Sequence, residues 1–265
     1  MVLPCGPFSV VNSTGALTSY VAKGVDFNGS ADYQLRGGPL TGASDSATGI
    51  FSCWFRLDGG NGAALSILSG SVAAMCEVFR TSSNTFELSF QPASQGQTYN
   101  FFSGTTYLSS STGWKHILAA WDVSQGMGAK DAKTSLYISS ASDFSAGTDN
   151  AGGFLVGLSS ASQTNWGVAA AVSAAQKWNG ALADLYFAPG QYLDFTVAAN
   201  RAKFISSGKP VNLGADGSVP TGTTPQLFLH VGSTGVVGDF ATNLGSGGDF
   251  TVTGAPALAS DNPSD

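Results

Sequence analysis

Val25-Asp26-Phe27-Asn28-Gly29-Ser30-Ala31-Asp32-Tyr33 reads as strand, turn, strand. Val25 and Phe27 alternate with Asp26, Asn28-Gly29-Ser30 supplies turn chemistry, and Tyr33-Gln34-Leu35 resumes the alternation. The same grammar continues outward along the chain. Ile50 to Leu57 is a longer, mostly apolar run, the pattern of a strand buried at the centre of a sheet. Ala64 to Ser69 and Met75 to Arg80 follow. Phe86-Glu87-Leu88-Ser89-Phe90 has period two, so Phe86, Leu88 and Phe90 share one face and Glu87 and Ser89 the other. Beyond a serine-rich turn at 109–113 come Trp114 to Asp122 and Thr134 to Ser139, expected as neighbouring strands. Phe154 to Gly157 and Leu182 to Phe187 are two more, with a weakly patterned small-residue loop, Ser159 to Lys177, between them. That loop is the expected variable region. Phe195 to Ile205 reads as one short helix, with Thr196 as its cap and Gly208-Lys209-Pro210 as its stop. Strands at Gln226 to His230 and Phe250 to Thr253 close an all-β chain with one short helix.

Composition narrows the function classes. Of the 265 residues 43% are apolar and only 11% charged, so the exterior must rely on Gly, Ser, Thr, Asn and Gln. The 35 glycines follow no three-residue period and suit many tight turns. A net charge of −6, with 11 scattered Lys and Arg, argues against a nucleic-acid partner, which demands a basic stripe. No stretch approaches a membrane span, and the start, Met1 to Pro7, has no basic region followed by an apolar core. The chain is therefore expected to be soluble, unprocessed and without membrane insertion. Cys5, Cys53 and Cys76 cannot all pair with one another and lack metal-ligand spacing; they are expected to be reduced, Cys53 and Cys76 within strand cores.

The strand order resembles the concanavalin A-like, laminin-G-type jelly rolls. Val25 to Tyr33 is similar to that group's opening φ-x-F-D/N-G-x-x-D-Y, and Ile50 to Leu57 to its F-T-I-S-x-W-φ strand. Gly113 to Asp122 resembles G-W-H-H-φ-x-φ-x-φ-D, Leu136 to Ser139 resembles L-Y-φ-N/D-G, and Asn179 to Phe187 resembles F-N-G-x-I-D-E-φ-R-φ-Y. The resemblance covers about residues 25 to 205 and implies a concanavalin-like jelly-roll β-sandwich. Two departures stand out: Ser139-Ser140 replaces the loop glycine, and Asp184-Leu185 replaces Asp-Glu, so the calcium ligands of some members do not carry over. The expected organisation is a single domain over 1–265: a laminin-G-like core at about 20–206, turn-rich C-terminal strands at 207–258, and a frayed tail at 259–265. Within the C-terminal part, Gly208 to Ser218, Phe240 to Gly245 and Phe250 to Gly254 resemble segments of virion proteins from tailed bacteriophages and prophages. That resemblance implies a particle component, such as a head decoration, fibre or tail appendage, made in the host cytoplasm.

Candidate chemistry is sparse. Glycoside hydrolysis on such sandwiches needs two facing carboxylates, and the chain has only two glutamates, Glu77 and Glu87, both read as solvated strand positions. His116 and His230 lie in strands away from any nucleophile motif and are read as structural. Asp26, Asn28 and Asp32 could offer oxygens to Ca2+, although Asp and Asn beside glycine more often build turns; Asp149-Asn150 is similar. No other cofactor is implied. The ligand or subunit contacts expected from sequence are Trp166, with Gln163 and Asn165 around it in the long loop, and Tyr192 after Pro189-Gly190-Gln191. The sequence ranks a non-enzymatic virion structural protein first, assembling with identical subunits and other virion proteins. A lectin-like module binding host-surface glycan comes second, and a glycoside hydrolase last.

Overall fold

A computed structural model describes residues 20–71, 76–92, 98–109, 113–124, 133–147, 155–158, 163–232 and 235–265. Cys5, Asp149 and Asn150 lie outside them, as do Phe154 and residues 159–162.

The strands are β1 (Val25–Asn28), β2 (Tyr33–Arg36), β3 (Thr48–Leu57), β4 (Leu65–Gly70), β5 (Cys76–Arg80), β6 (Phe86–Phe90), β7 (Tyr99–Ser103), β8 (Lys115–Asp122) and β9 (Ser135–Ile138). They continue as β10 (Ala141–Ser142), β11 (Phe144–Ala146), β12 (Trp166–Val168), β13 (Asn179–Pro189), β14 (Ile205–Ser206), β15 (Lys209–Pro210), β16 (Leu227–Leu229), β17 (Thr251–Thr253) and β18 (Ala257–Leu258). The first sheet runs β10-β9-β8-β3-β13-β1-β18, with β16 also pairing β13; the second runs β11-β7-β6-β5-β4-β12-β2-β17. All pairings are antiparallel, and β14 and β15 form a separate hairpin. This is the all-β sandwich the strand pattern implied and the jelly roll the resemblance implied.

Period two explains the layers. On β3, Phe51, Cys53, Phe55 and Leu57 point between the sheets, where they meet Cys76, Val78, Phe86, Leu88, Phe90, Tyr99 and Phe101 of the second sheet. Aromatic rings interlock across this layer: Phe55 and Phe86 have centroids 4.7 Å apart, and Phe90 and Trp121 stack at 4.4 Å. The opposite side of the first sheet carries Ile50, Leu118, Ala120, Tyr186 and Phe228, and it is covered by Phe195, Phe204 and Leu213. One outer face of the sandwich is thus used for packing.

Several expectations change. The helix is a four-residue turn, α1 (Ala198–Arg201), with Val197 at its cap. Thr196 does not cap it, because its hydroxyl and amide both donate to Asp194. Ile205, expected at the end of the helix, instead starts the β14–β15 hairpin, and Phe195 and Phe204 face inward. The tail at 259–265 is docked. Asn262 and Ser264 accept hydrogen bonds from the amides of Gly24 and Ala22, and Asp261 pairs with Arg56. Polar composition suggested fraying, yet these side chains satisfy backbone donors at the margin of the first sheet.

His116 sits on that sheet's covered side, 1% exposed, with Nε2 2.8 Å from Ser52 Oγ and its ring stacked on Trp54 at 4.7 Å. Burial lowers its pKa to about 3. Because the folded value lies below that of the unfolded chain, His116 contributes stability that is present near neutrality and lost as pH falls toward about 3. Between pH 7 and pH 5 the expected loss from this residue is about 2 kcal/mol. Urea midpoints of the wild type and His116→Gln at both pH values check this; the drop should shrink in the variant.

Candidate functional site

The sequence-derived contacts do not come together. Trp166 is 0% exposed; its ring lies between the sheets, 5.7 Å from that of Phe187. Gln163 is also 0% exposed, accepting from the Ser71 amide and donating to the Gly157 carbonyl at 2.7 Å. Asn165 is half-buried, and Tyr192 packs against the apolar layer on the covered side of the first sheet. The reading of Trp166 as a surface plate is therefore corrected. It is an inward position of β12, paired with Arg36 and Gly70 in the middle of the second sheet.

The calcium candidates are engaged in the turn. Asn28 Oδ1 accepts the amides of Ser30 and Ala31 at 2.9 and 2.8 Å. Asp32 accepts those of Asn28 and Ala255 at 3.2 and 2.8 Å. Asp26 pairs with Arg56 at 2.8 Å, and Arg56 also holds Asp58 at 2.7 Å. Asp26, Asn28, Asp32 and Asp58 line a cavity of about 380 Å³, but among the described residues no three His, Cys, Asp or Glu side chains are arranged for a metal ion.

His230 meets Asp184 and Tyr20. Its Nδ1 lies 2.7 Å from Asp184 Oδ1, and the Tyr20 hydroxyl donates to Asp184 Oδ2 at 2.7 Å. Asp184, 3% exposed with φ +48°, sits where the β3–β13 register shifts. Burial and the Asp184 carboxylate push the Tyr20 hydroxyl far above its ordinary value, so this cluster pins residue 20 to the sheet.

The residues that do assemble are the outward positions of β4 to β7. Register places Ser66 opposite Phe79, Phe79 opposite Glu87, and Glu87 opposite Phe102. A second row runs Ser69, Glu77, Ser89, Asn100. Glu77 and Glu87 are thus diagonal neighbours on adjacent strands, where side chains interact. Ser69 donates to Glu77 at 2.9 Å and Asn100 to Glu87 at 3.2 Å. Burial raises both carboxyls above their ordinary value; the hydrogen bonds oppose this, and the charge of Glu77 raises Glu87 further. These are coupled, half-buried groups, where the sequence suggested solvated ones. Phe79 and Phe102 are also half-buried, flanking Glu87 about 10 Å apart, two strand spacings.

One side of this face is bounded by the end of the long loop. Ser66 donates its amide to Gln176, and Ala169 donates to Ile67. Gly167 permits the approach, since a Cβ there would lie 2.5 Å from the Ala170 carbonyl oxygen. The loop thus contributes a boundary where the sequence suggested contacts.

No family profile and no curated protein matches the sequence. Among solved structures, the chain is similar to a heptameric SAP-like pentraxin from Limulus polyphemus (TM-score 0.50, 11% identity, 90% of this chain and 94% of that one). It is also similar to a protein from Bacteroides ovatus described as carbohydrate-binding (TM-score 0.56, 10% identity), covering 90% of this chain and 60% of that one. The LG1-3 region of the laminin alpha2 chain aligns at TM-score 0.47 and 14% identity over 67% of this chain and 33% of that one. The chain shares the jelly-roll sandwich fold of the pentraxin and the Bacteroides ovatus protein.

Proposed function

We propose that this jelly-roll chain is a non-enzymatic glycan-binding module whose ligand lies across the outward side chains of β4 to β7. The observation that carries the reading is the row Phe79, Glu87, Phe102, two half-buried rings flanking a carboxylate, with Glu77 and Asn100 beside it. Rings offer apolar plates to sugar faces, and the carboxylates and amide accept or donate hydrogen bonds to hydroxyls. The carbohydrate-binding description of the Bacteroides ovatus neighbour supports the same reading. Sequence alone put assembly ahead of sugar binding; this face supports the opposite order. The virion-like segments of the C-terminal part support a setting in which identical copies attach a phage particle to host-surface glycan.

A glycan array followed by calorimetry on the retained oligosaccharide tests the proposal. Phe79→Ala and Phe102→Ala are each expected to weaken binding about tenfold, the equivalent of ~1.4 kcal/mol, with little change in melting temperature because both rings are partly exposed. Retention of no glycan, or unchanged affinity in both variants, contradicts it.

A further inference from the structure

The only two glutamates of the chain occupy this one face. Among the described residues neither is paired with a lysine, arginine or histidine. The outward positions of β4 to β7 carry Ser66, Ser69, Glu77, Phe79, Glu87, Ser89, Asn100 and Phe102, with no cation. Two carboxylates on neighbouring strands repel one another, and desolvation makes each harder to keep charged. A second, independent feature lies at the end of the Phe79 row. Ser66 is 1% exposed and its Oγ has no hydrogen-bond partner among the described residues, although its register opposite Phe79 directs it to this same face. A buried hydroxyl without a partner is costly unless something supplies one.

We infer that the face selects a sugar bearing a free amino group, its ammonium seated against Glu77 and Glu87 and its ring against Phe79 or Phe102. The inference rests on the glycan-binding reading and deepens it. An ammonium offers three donors and a positive charge, so it offsets the repulsion between the two carboxylates. Sialylated, uronic or sulfated sugars bring a third negative charge and are rejected.

Three β-1,4-linked tetramers that differ only at carbon 2 separate the outcomes: the glucosamine tetramer (ammonium), its N-acetylated counterpart (acetamide) and cellotetraose (hydroxyl). Calorimetry on the wild type is expected to show at least about tenfold tighter binding of the ammonium tetramer, with an advantage that falls as salt rises. Glu77→Gln with Glu87→Gln should abolish the advantage. The same loss of two charges through Asp194→Asn and Asp265→Asn, away from the face, should keep it. Melting curves confirm that each variant is folded. Equal binding of the three tetramers, or an advantage that persists without Glu77 and Glu87, overturns the inference and leaves the glycan reading standing. A protein that binds none of the three while an array retains other sugars overturns it in the same way, and one that retains no glycan overturns both.

Discussion

Trp166→Ala is expected to lower the melting temperature by roughly 6–20 °C while leaving glycan affinity unchanged in the folded fraction. The indole is 0% exposed and its ring meets Phe187 of the facing sheet, with Val168 beside it on the same short strand. Truncating a buried Trp removes its transfer free energy and leaves a void that close-packed neighbours fill only in part, about 3–5 kcal/mol in total. Trp166→Phe is the informative control. Among the described residues Trp166 Nε1 has no hydrogen-bond partner, so phenylalanine forfeits volume but no bond, and should cost less than about half as much. Thermal scans and a binding titration on both variants check this. A stable Trp166→Ala that loses its ligand would return Trp166 to the role its polar neighbours suggested.

The second large effect is expected at Arg80. Its side chain is 0% exposed yet cationic, and its guanidinium donates to the Tyr107 carbonyl at 3.1 Å, the Ala63 carbonyl at 3.2 Å and the Gly60 carbonyl. Burial lowers its pKa, but arginine remains charged. One side chain thereby fixes the turn between β3 and β4 to the segment after β7. Arg80→Met keeps the apolar stem and strands three carbonyls, an expected cost of about 3 kcal/mol read from the urea midpoint. Arg80→Lys, a point charge that cannot span all three acceptors, should fall between. Because β5 also carries Glu77 and Phe79, glycan affinity should fall in Arg80→Met even where it is folded. An unchanged midpoint would mean that relief of the buried charge offsets the lost bonds.

Much of the sandwich was legible because strand periodicity is a local property. Phe86, Leu88 and Phe90 point inward as their spacing implies, and the apolar run at 50–57 became the central β3 between β8 and β13. β10 and β11 were missed because they are two or three residues long and, unlike β16 and β17, lie in no run of alternating or continuous large apolar residues, and β12 because Trp166 and Val168 are set among small and polar residues. β7 escaped despite its inward Tyr99 and Phe101, because Phe102 on its outer side blurs the alternation. Trp166 was misread through its neighbours: Gln163, Thr164 and Asn165 look like surface, but Gln163 spends its amide on buried backbone.

The Glu77–Glu87 pairing was within reach of the sequence. Period two put each glutamate opposite the core, and the short connection from Arg80 to Phe86 implies a hairpin that makes them diagonal neighbours. What sequence could not supply was the cover. Which outer face is covered depends on where residues 190–226 pack, and Phe195, Phe204 and Leu213 pack on the first sheet; on the second, Ser66, Ser69 and Ser89 are buried while Glu77, Phe79, Glu87, Asn100 and Phe102 are half-buried.

The most direct test of the central claim is hydrogen–deuterium exchange with and without the oligosaccharide that the array retains. Protection confined to β5, β6 and β7, residues 76–103, is the predicted result, because ligand bridging those strands suppresses their local opening. Protection centred instead on the turns around Asp26 to Asp32 and Asp58, with 76–103 unchanged, would contradict it and move the ligand to the end of the sandwich.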